Sequence, residues 1–174
     1  MAIVFETPRL VLRRFTLEDA QLLLDLNSDP EVLKYVHEMP LRTEEQSLKI
    51  LNEIILPQYK NKLGRWAIHL RDGGSFIGWC GLKRIPETGV IDLGYRLKKS
   101  DWGNGYAFEA AEHTLTYGFN TLGLDLVIGQ AHIENLASLR ILEKLGMQFI
   151  GERTVDECPV KVYQLANPNP SASN

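Results

Sequence analysis

The stretch VIDLGYRLKKSDWGNGYAFEAAEHT, Val90 to Thr114, runs three unlike patterns together without a break. Apolar residues alternate from Ile91 to Leu97 with the period of a strand, Gly103 and Gly105 follow, and an alanine-rich helical run begins at once. Glycine weakens strands and helices alike, so its position where a helix must start needs a reason. A tight strand-to-helix turn is one. An anion is the other, because bare backbone N–H groups can close on a phosphate at the positive end of a helix. The helix reaches about Leu122 and is followed by a second strand candidate, LDLVIGQAHI. If both strands share a sheet, they run parallel through a right-handed crossover. The glycines then lie at the C-terminal end of the first strand, where open α/β sheets bind ligands.

The flanking sequence is antiparallel in character. Gly64–Arg71 and Ser75–Ile85 surround the turn DGG, and PETG separates them from the strand at Val90–Lys98, so three strands form a meander. Upstream, RLVLRRF (Arg9–Phe15) alternates as a strand, with Leu10, Leu12 and Arg14 opposite Val11, Arg13 and Phe15. Two capping boxes follow, Thr16 with Asp19 and Thr43 with Gln46; each opens a helix, and Pro57 is expected to end or bend the second. Downstream, Asn135 caps a short helix that stops at Gly146, and MQFIGER and PVKVYQL make a closing hairpin. The expected architecture is α/β of the α+β kind: a mixed, mostly antiparallel sheet of about seven strands, helices on both faces, and one parallel β-α-β unit. Residues 1–166 form a single domain, and 167–174, without apolar content, read as a disordered tail.

The chain has 174 residues, 44% hydrophobic and 24% charged, with 19 Lys and Arg against 22 Asp and Glu, a formal net charge of −3. Such a balance offers no basic field for nucleic acid. No apolar run approaches the length of a membrane span, and no N-terminal apolar core suggests a signal peptide. Cys80 and Cys158 form neither a metal-binding nor a disulfide pattern, so no metal and a cytoplasmic, reducing setting are expected. The glycine loop lacks the third glycine of a dinucleotide fingerprint, where Phe108 stands, and the Gly-Lys-Ser/Thr of a Walker loop.

The sequence WGNGYA (Trp102–Ala107) resembles the pyrophosphate loop of the GNAT acetyltransferase superfamily, Arg/Gln-x-x-Gly-x-Gly/Ala, with Gly105 and Ala107 in the matching places. Trp102 stands where Arg or Gln is usual, a departure shared by the RimJ/RimL-like branch. TPRLVLRRFTLEDA, IGWCGL, IDLGYRL and ENLASLRILEKLGM follow in that branch's order, over roughly residues 6 to 165. The resemblance implies the three-layer GNAT fold and an N-acetyltransferase that moves an acetyl group from acetyl-CoA to a primary amine by direct attack on the thioester. A non-catalytic acyl-CoA-binding module of the same fold is the alternative. Under the resemblance the backbone from Trp102, Gly103, Asn104, Gly105 and Tyr106 to Ala107 would hold the pyrophosphate. The backbone of Tyr95, Arg96 and Leu97 would hold the pantetheine and the thioester oxygen, with Gly94 suited to a bulge or close approach. Asn135 and Ser138 match Asn-x-x-Ser, where the asparagine contacts coenzyme A and the serine lies near the sulfur as a general acid.

Asp92 occupies a position where this branch often carries Glu, and it could take the ammonium proton; an ion pair with Arg96 on the same strand face is the plainer alternative. Ser138 could equally be an ordinary first-turn residue, and Asn135 can cap and bind at once. Tyr163 reads as a packed strand residue, His132 as a hydrogen-bonded strand-end residue, Lys144 as a solvated charge within reach of a 3′-phosphate, and Cys80 as buried and inert. Acceptor selection falls to the segment Ser28–Arg42 and the hairpin near Thr154–Pro159. The acids Asp29, Glu31, Glu38, Glu44 and Glu45 hint at a cationic amine, although acids in a first helical turn also serve the helix. The acceptor is a small molecule or peptide amine, and a homodimer is compatible with the sequence. Only TVDEC links the last two strands, shorter than in RimJ and RimL, which argues against a ribosomal-protein acceptor.

Overall fold

The computed structural model describes residues 2–170. Its strands are β1 (Ile3–Glu6), β2 (Leu10–Arg14), β3 (Gly64–Leu70), β4 (Phe76–Arg84), β5 (Ile91–Leu97), β6 (Leu126–His132), β7 (Gln148–Val155) and β8 (Cys158–Ala166), joined in the order β1-β2-β3-β4-β5-β6-β8-β7. Among the described residues β5 and β6 are the one parallel pair. The strand added to the expected set is β1. It is four residues long and half-exposed at the sheet edge, and Phe5 anchors it against the rings of Trp66 and Tyr117 at 5.9 and 5.4 Å.

Alternation sorts the strand residues onto two layers. Leu10, Leu12, Trp66, Ile68, Cys80, Leu82, Ile91 and Leu93 pack beneath α4 (Tyr106–Asn120) and α5 (Leu136–Lys144), meeting Ala110, Ala111, Leu115, Leu139 and Leu142. On the other face Ala67 and Trp79 pack against α1 (Ala20–Asn27) and the helical stretch that begins as α2 (Glu44–Ile50), through Leu23, Leu26, Leu51 and Ile55. Burying a Leu or Ile side chain contributes roughly 1.5–3 kcal/mol, so the two layers together outweigh any polar contact described below.

Both capping boxes form. Thr16 and Asp19 exchange bonds ahead of α1, and Thr43 and Gln46 ahead of α2. Asp19 also receives a two-pronged bond from Arg13 at 2.8 and 2.9 Å; burial alone would raise its pKa, but Arg13 and the Thr16 N–H hold it below the usual value. Pro57 does not end its helix. The missing N–H is absorbed by a π-helical segment over Leu51–Ile55, after which α3 (Leu56–Gln58) and a final 3₁₀ turn run to Asn61, and Lys62 stops the helix in the left-handed region at φ 62°. At the other end, Asn167, placed in the tail by its composition, is buried. Its side chain donates to Leu124 O at 2.9 Å and its N–H to Asp125 O at 2.8 Å; positions 171–174 lie outside the described residues.

Candidate functional site

The site begins where the sheet opens. β5 and β6 pair at Ile91 with Val127, Asp92 with Ile128, and Leu93 with Gly129, and pairing then stops although β5 continues to Leu97 and β6 to His132. Facing backbone groups beyond Leu93 have no ladder partner, which leaves a wedge-shaped cleft through the sheet. Gly94 stands at its apex. The β4–β5 register is unbroken there, so Gly94 is no bulge; it is a close approach, since a Cβ would meet the Trp79 ring at 3.2 and 3.3 Å.

The glycine loop crosses the wide end of the cleft. Gly103 and Gly105 adopt φ of 80° and 77°, the left-handed region in which a side chain costs about 1–2 kcal/mol, and a Cβ on Gly103 would meet nothing within 4 Å. Gly105 occupies the N-cap of α4 without any side-chain cap, whereas α2 and α5 are capped by Thr43 and Asn135. The first N–H groups of α4 therefore keep their capacity for an anion. Trp102 holds the turn by donating Nε1–H to Leu97 O at 3.0 Å, so the Leu97 carbonyl is already engaged; the Asn104 side chain stays within the loop, bonding Asp101 O and Trp102 O.

The loop is fastened from the far end of the sequence. Arg9 donates Nη1–H to Asn104 O at 2.9 Å and Nε–H to Glu109 at 2.6 Å, and lies 4.6 Å above the Tyr106 ring; Thr7 donates to the same Glu109 at 2.7 Å. Thr7, Arg9 and Glu109 carried no assigned role in the sequence. The TPRL motif was their one signal, because the partners stand 95 to 102 residues apart.

Across the cleft, the Tyr95 hydroxyl from β5 meets Ser138 Oγ on α5 at 2.8 Å, and Ser138 N donates to Asn135 Oδ1 at 3.2 Å. Ser138, Tyr95 and Asn135 thus form one hydrogen-bonded chain. Burial raises the Tyr95 pKa above its ordinary value, so its hydroxyl remains a proton donor at neutral pH. Tyr163 is packed, 5% exposed, against Phe149 and donates to Glu143 at 3.2 Å; His132 Nδ1 accepts the Glu134 N–H. Lys144 is exposed and lies 4.2 Å above the Phe108 ring, and Cys80 is fully buried beside Thr114 at 3.3 Å, its thiol pushed up to about 12 by desolvation.

Asp92 points to the opposite face, the one covered by α1 and α2. Its Oδ1 is buried with no partner, and burial pushes its pKa up to about 6 against the pull of Lys83, the Gln130 amide and Arg153. The alternative pairing with Arg96 does not form. Four residues of strand separate the two by about 13 Å, and Arg96 turns to Asn27 Oδ1 at 2.8 Å and Glu38 at 3.0 Å. The segment between α1 and α2 lies over this face: Tyr35 stacks near His132 at 5.4 Å, and His37 meets Glu157 in the β7–β8 turn at 3.3 Å. The two regions expected to select the acceptor therefore touch. Among the described residues no helix is long and apolar enough to cross a membrane, and no cluster of His, Cys, Asp or Glu could hold a metal ion.

Residues 9–148 match the family model described as an acetyltransferase (GNAT) domain. An uncharacterized N-acetyltransferase, p20, of Bacillus licheniformis is 34% identical over 82% of this chain and 80% of its own length. A second, YoaA of Bacillus subtilis, is 30% identical over 98% of this chain and 93% of its own. Among solved structures, an acetyltransferase of the GNAT family from Bacillus anthracis superposes with a TM-score of 0.81 at 25% identity, covering 96% of this chain and 99% of the other.

Proposed function

The chain belongs to the GNAT acetyltransferase family, and from that premise we propose that it is an acetyl-CoA-dependent N-acetyltransferase acting on a primary amine. The observation that carries this reading is the cleft itself. It has an uncapped, glycine-built helix start at one end and a buried, partnerless carboxylate oxygen on the acceptor face. The order of the motifs supports the RimJ/RimL-like branch.

The residues present fit the cofactor. Backbone N–H groups from Gly103 to Ala107 would hold the pyrophosphate, with Trp102, Asn104 and Tyr106 shaping the loop and Arg9 fixing it. The Tyr95 backbone and the Leu97 N–H on the unpaired edge of β5, with Asn135 and Ser138 opposite, would line the pantetheine arm, whereas Arg96 turns its backbone groups to Trp79 in the β4 ladder. When bound, acetyl-CoA supplies an acetyl group activated as a thioester. Asp92 accepts the proton that the acceptor ammonium must lose before its lone pair can form the new C–N bond. A carboxylate with a pKa of about 6 is largely ionised at neutral pH, and is a stronger base than one near 4. The hydroxyl pair Tyr95–Ser138 would hydrogen-bond the departing thiolate as the C–S bond breaks, steadying its charge until it takes a proton from solvent.

Calorimetric titration with acetyl-CoA, followed by thiol release against amines, amino acids and peptides, tests the reading. Binding with amine-dependent release supports it. Binding without release across the panel would indicate an acyl-CoA-binding module, and no binding would reduce the glycines to a turn.

A further inference from the structure

The face that receives the acceptor carries more positive charge than the handling of an amine requires. Arg65 reaches from β3 across β4, its guanidinium carbon 4.6 Å from the centre of the Trp79 ring, and the guanidinium of Arg96 lies 5.6 Å from the same ring. Two like charges on one indole repel, and burial together with Arg96 lowers the Arg65 pKa. Arg96 has Asn27 and Glu38 as partners. Arg65 has none: among the described residues its half-buried guanidinium makes no ion pair and no side-chain hydrogen bond. The backbone beneath it is held firmly, since Tyr59 donates its hydroxyl to Arg65 O while accepting the Phe15 N–H.

A second orphan lies beside it. Trp79 Nε1, buried, has no acceptor. The register Trp79–Arg96, Gly81–Gly94 and Lys83–Asp92 puts these donors one or two rows from Asp92, whose Oδ1 lacks a donor. Asp92 is two residues from Gly94, about 7 Å along the strand. The acids of the covering segment do not offset the cations. Asp29 closes its own turn through the Glu31 N–H at 2.9 Å, Glu44 and Glu45 lie in the first turn of α2, and Glu38, with its side chain 46% exposed, is held by Arg96. Lys83 and Arg153 flank Asp92, while Arg65 and Arg96 meet at Trp79 with Glu38 as the carboxylate beside them.

Resting on the acetyltransferase reading above, we propose that the acceptor is a small amine that also bears a carboxylate, as a free amino acid does, with its nitrogen at Asp92 and its carboxylate on Arg65, Arg96 and Trp79 Nε1. A guanidinium fork and an indole N–H match the two oxygens of a carboxylate, and Asp92 matches the ammonium. Glu38 occupies part of the anion's place until the acceptor displaces it. A polyamine without an acid meets the unpaired Arg65 guanidinium here and is selected against.

The test uses products, so that it does not depend on turnover. The full-length protein, saturated with coenzyme A, is titrated with N-acetylglycine, N-acetylmethionine, N-acetylphenylalanine and N-acetylglutamate, each paired with its C-terminal amide, and the free amino acids and their amides are assayed for thiol release. At least one acid should bind roughly 10- to 100-fold tighter than its amide, the span expected for hydrogen bonds between charged groups. Arg65→Met, which keeps the apolar stem over Trp79, should erase that preference. Arg65→Lys should retain part of it, and Glu38→Gln should strengthen it. Coenzyme A binding checks that each variant is folded. Equal binding of acid and amide, binding by none of the acids, or an intact preference in folded Arg65→Met would overturn the inference. An acid preference lost in Arg65→Met but accompanied by no thiol release from any amine would uphold the anion site while refuting the transferase reading.

Discussion

Replacing Asp92 by asparagine should make the protein more stable and a poorer catalyst at once. Burial lifts the Asp92 pKa from 3.8 to about 6, so between those values the folded chain holds a proton that the unfolded chain has released. Stability falls with rising pH wherever the folded state binds more protons. The stabilisation is therefore complete below about pH 4 and lost by about pH 6. A shift of roughly two units corresponds to about 2–3 kcal/mol, an upper figure because the side chain is only partly buried. Asparagine fills the same volume without a charge and should recover most of that energy at neutral pH. For a domain of this size the gain amounts to a Tm increase of roughly 5–10 °C. Thermal unfolding of both proteins at pH 7.5 and pH 4 reads it directly: the variant melts higher at pH 7.5, and the gap closes at pH 4. The same variant should lose a factor of roughly 100 or more in kcat/KM, and the tenfold-per-unit fall of the wild-type rate below about pH 6 should vanish. A Tm gap that persists unchanged at pH 4, or no gap at either pH, would refute the buried-charge argument. An unaltered pH–rate profile would remove Asp92 from the chemistry.

Gly105→Glu combines left-handed backbone strain with a negative charge at the anion site, and acetyl-CoA binding by calorimetry should drop below detection while the fold, checked by circular dichroism, survives. Asp19→Asn removes the carboxylate that serves both Arg13 and the Thr16 N–H. It should cost about 3–5 kcal/mol in denaturant unfolding near neutral pH, the range for a buried pair that loses one partner. Because the folded pKa of Asp19 lies below its ordinary value, this stabilisation is present at neutral pH and fades as acid protonates the carboxyl. With a thiol reagent at neutral pH, Cys158 should react in the native protein and Cys80 only after unfolding, since Cys80 is fully buried with a thiol pKa near 12.

What the sequence revealed and what it hid follow from separation along the chain. The two capping boxes and the glycine loop are encoded within a few residues, and the DGG hairpin (Gly64–Arg84) and the parallel unit (Ile91–His132) within single continuous stretches, where local pattern and local energy coincide. The partners of Arg96, by contrast, lie 58 and 69 residues away, and no periodicity could choose Glu38 and Asn27 over Asp92 on its own strand. Arg65 is an ordinary polar residue in an alternating strand until Trp79 folds beneath it. The short edge strand β1 has too few residues to show a period, and Asn167 looks like tail because its reason for burial is a pair of carbonyls some forty residues upstream.

The parting of β5 from β6 is also a crack left in the sheet. Three residue pairs, from Ile91 with Val127 to Leu93 with Gly129, make up the backbone pairing between the β6-β8-β7 leaf and the other five strands. A crack concentrates load at its tip, so opening should spread from Gly94 and Gln130 before any other seam yields. A molecule that lies in the wedge and touches both leaves binds only while they stay together, and so acts as a rivet. At a hundredfold excess over its Kd such a rivet adds about 2.7 kcal/mol against unfolding. A melting curve or a protease would then register occupancy as readily as an assay of the chemistry.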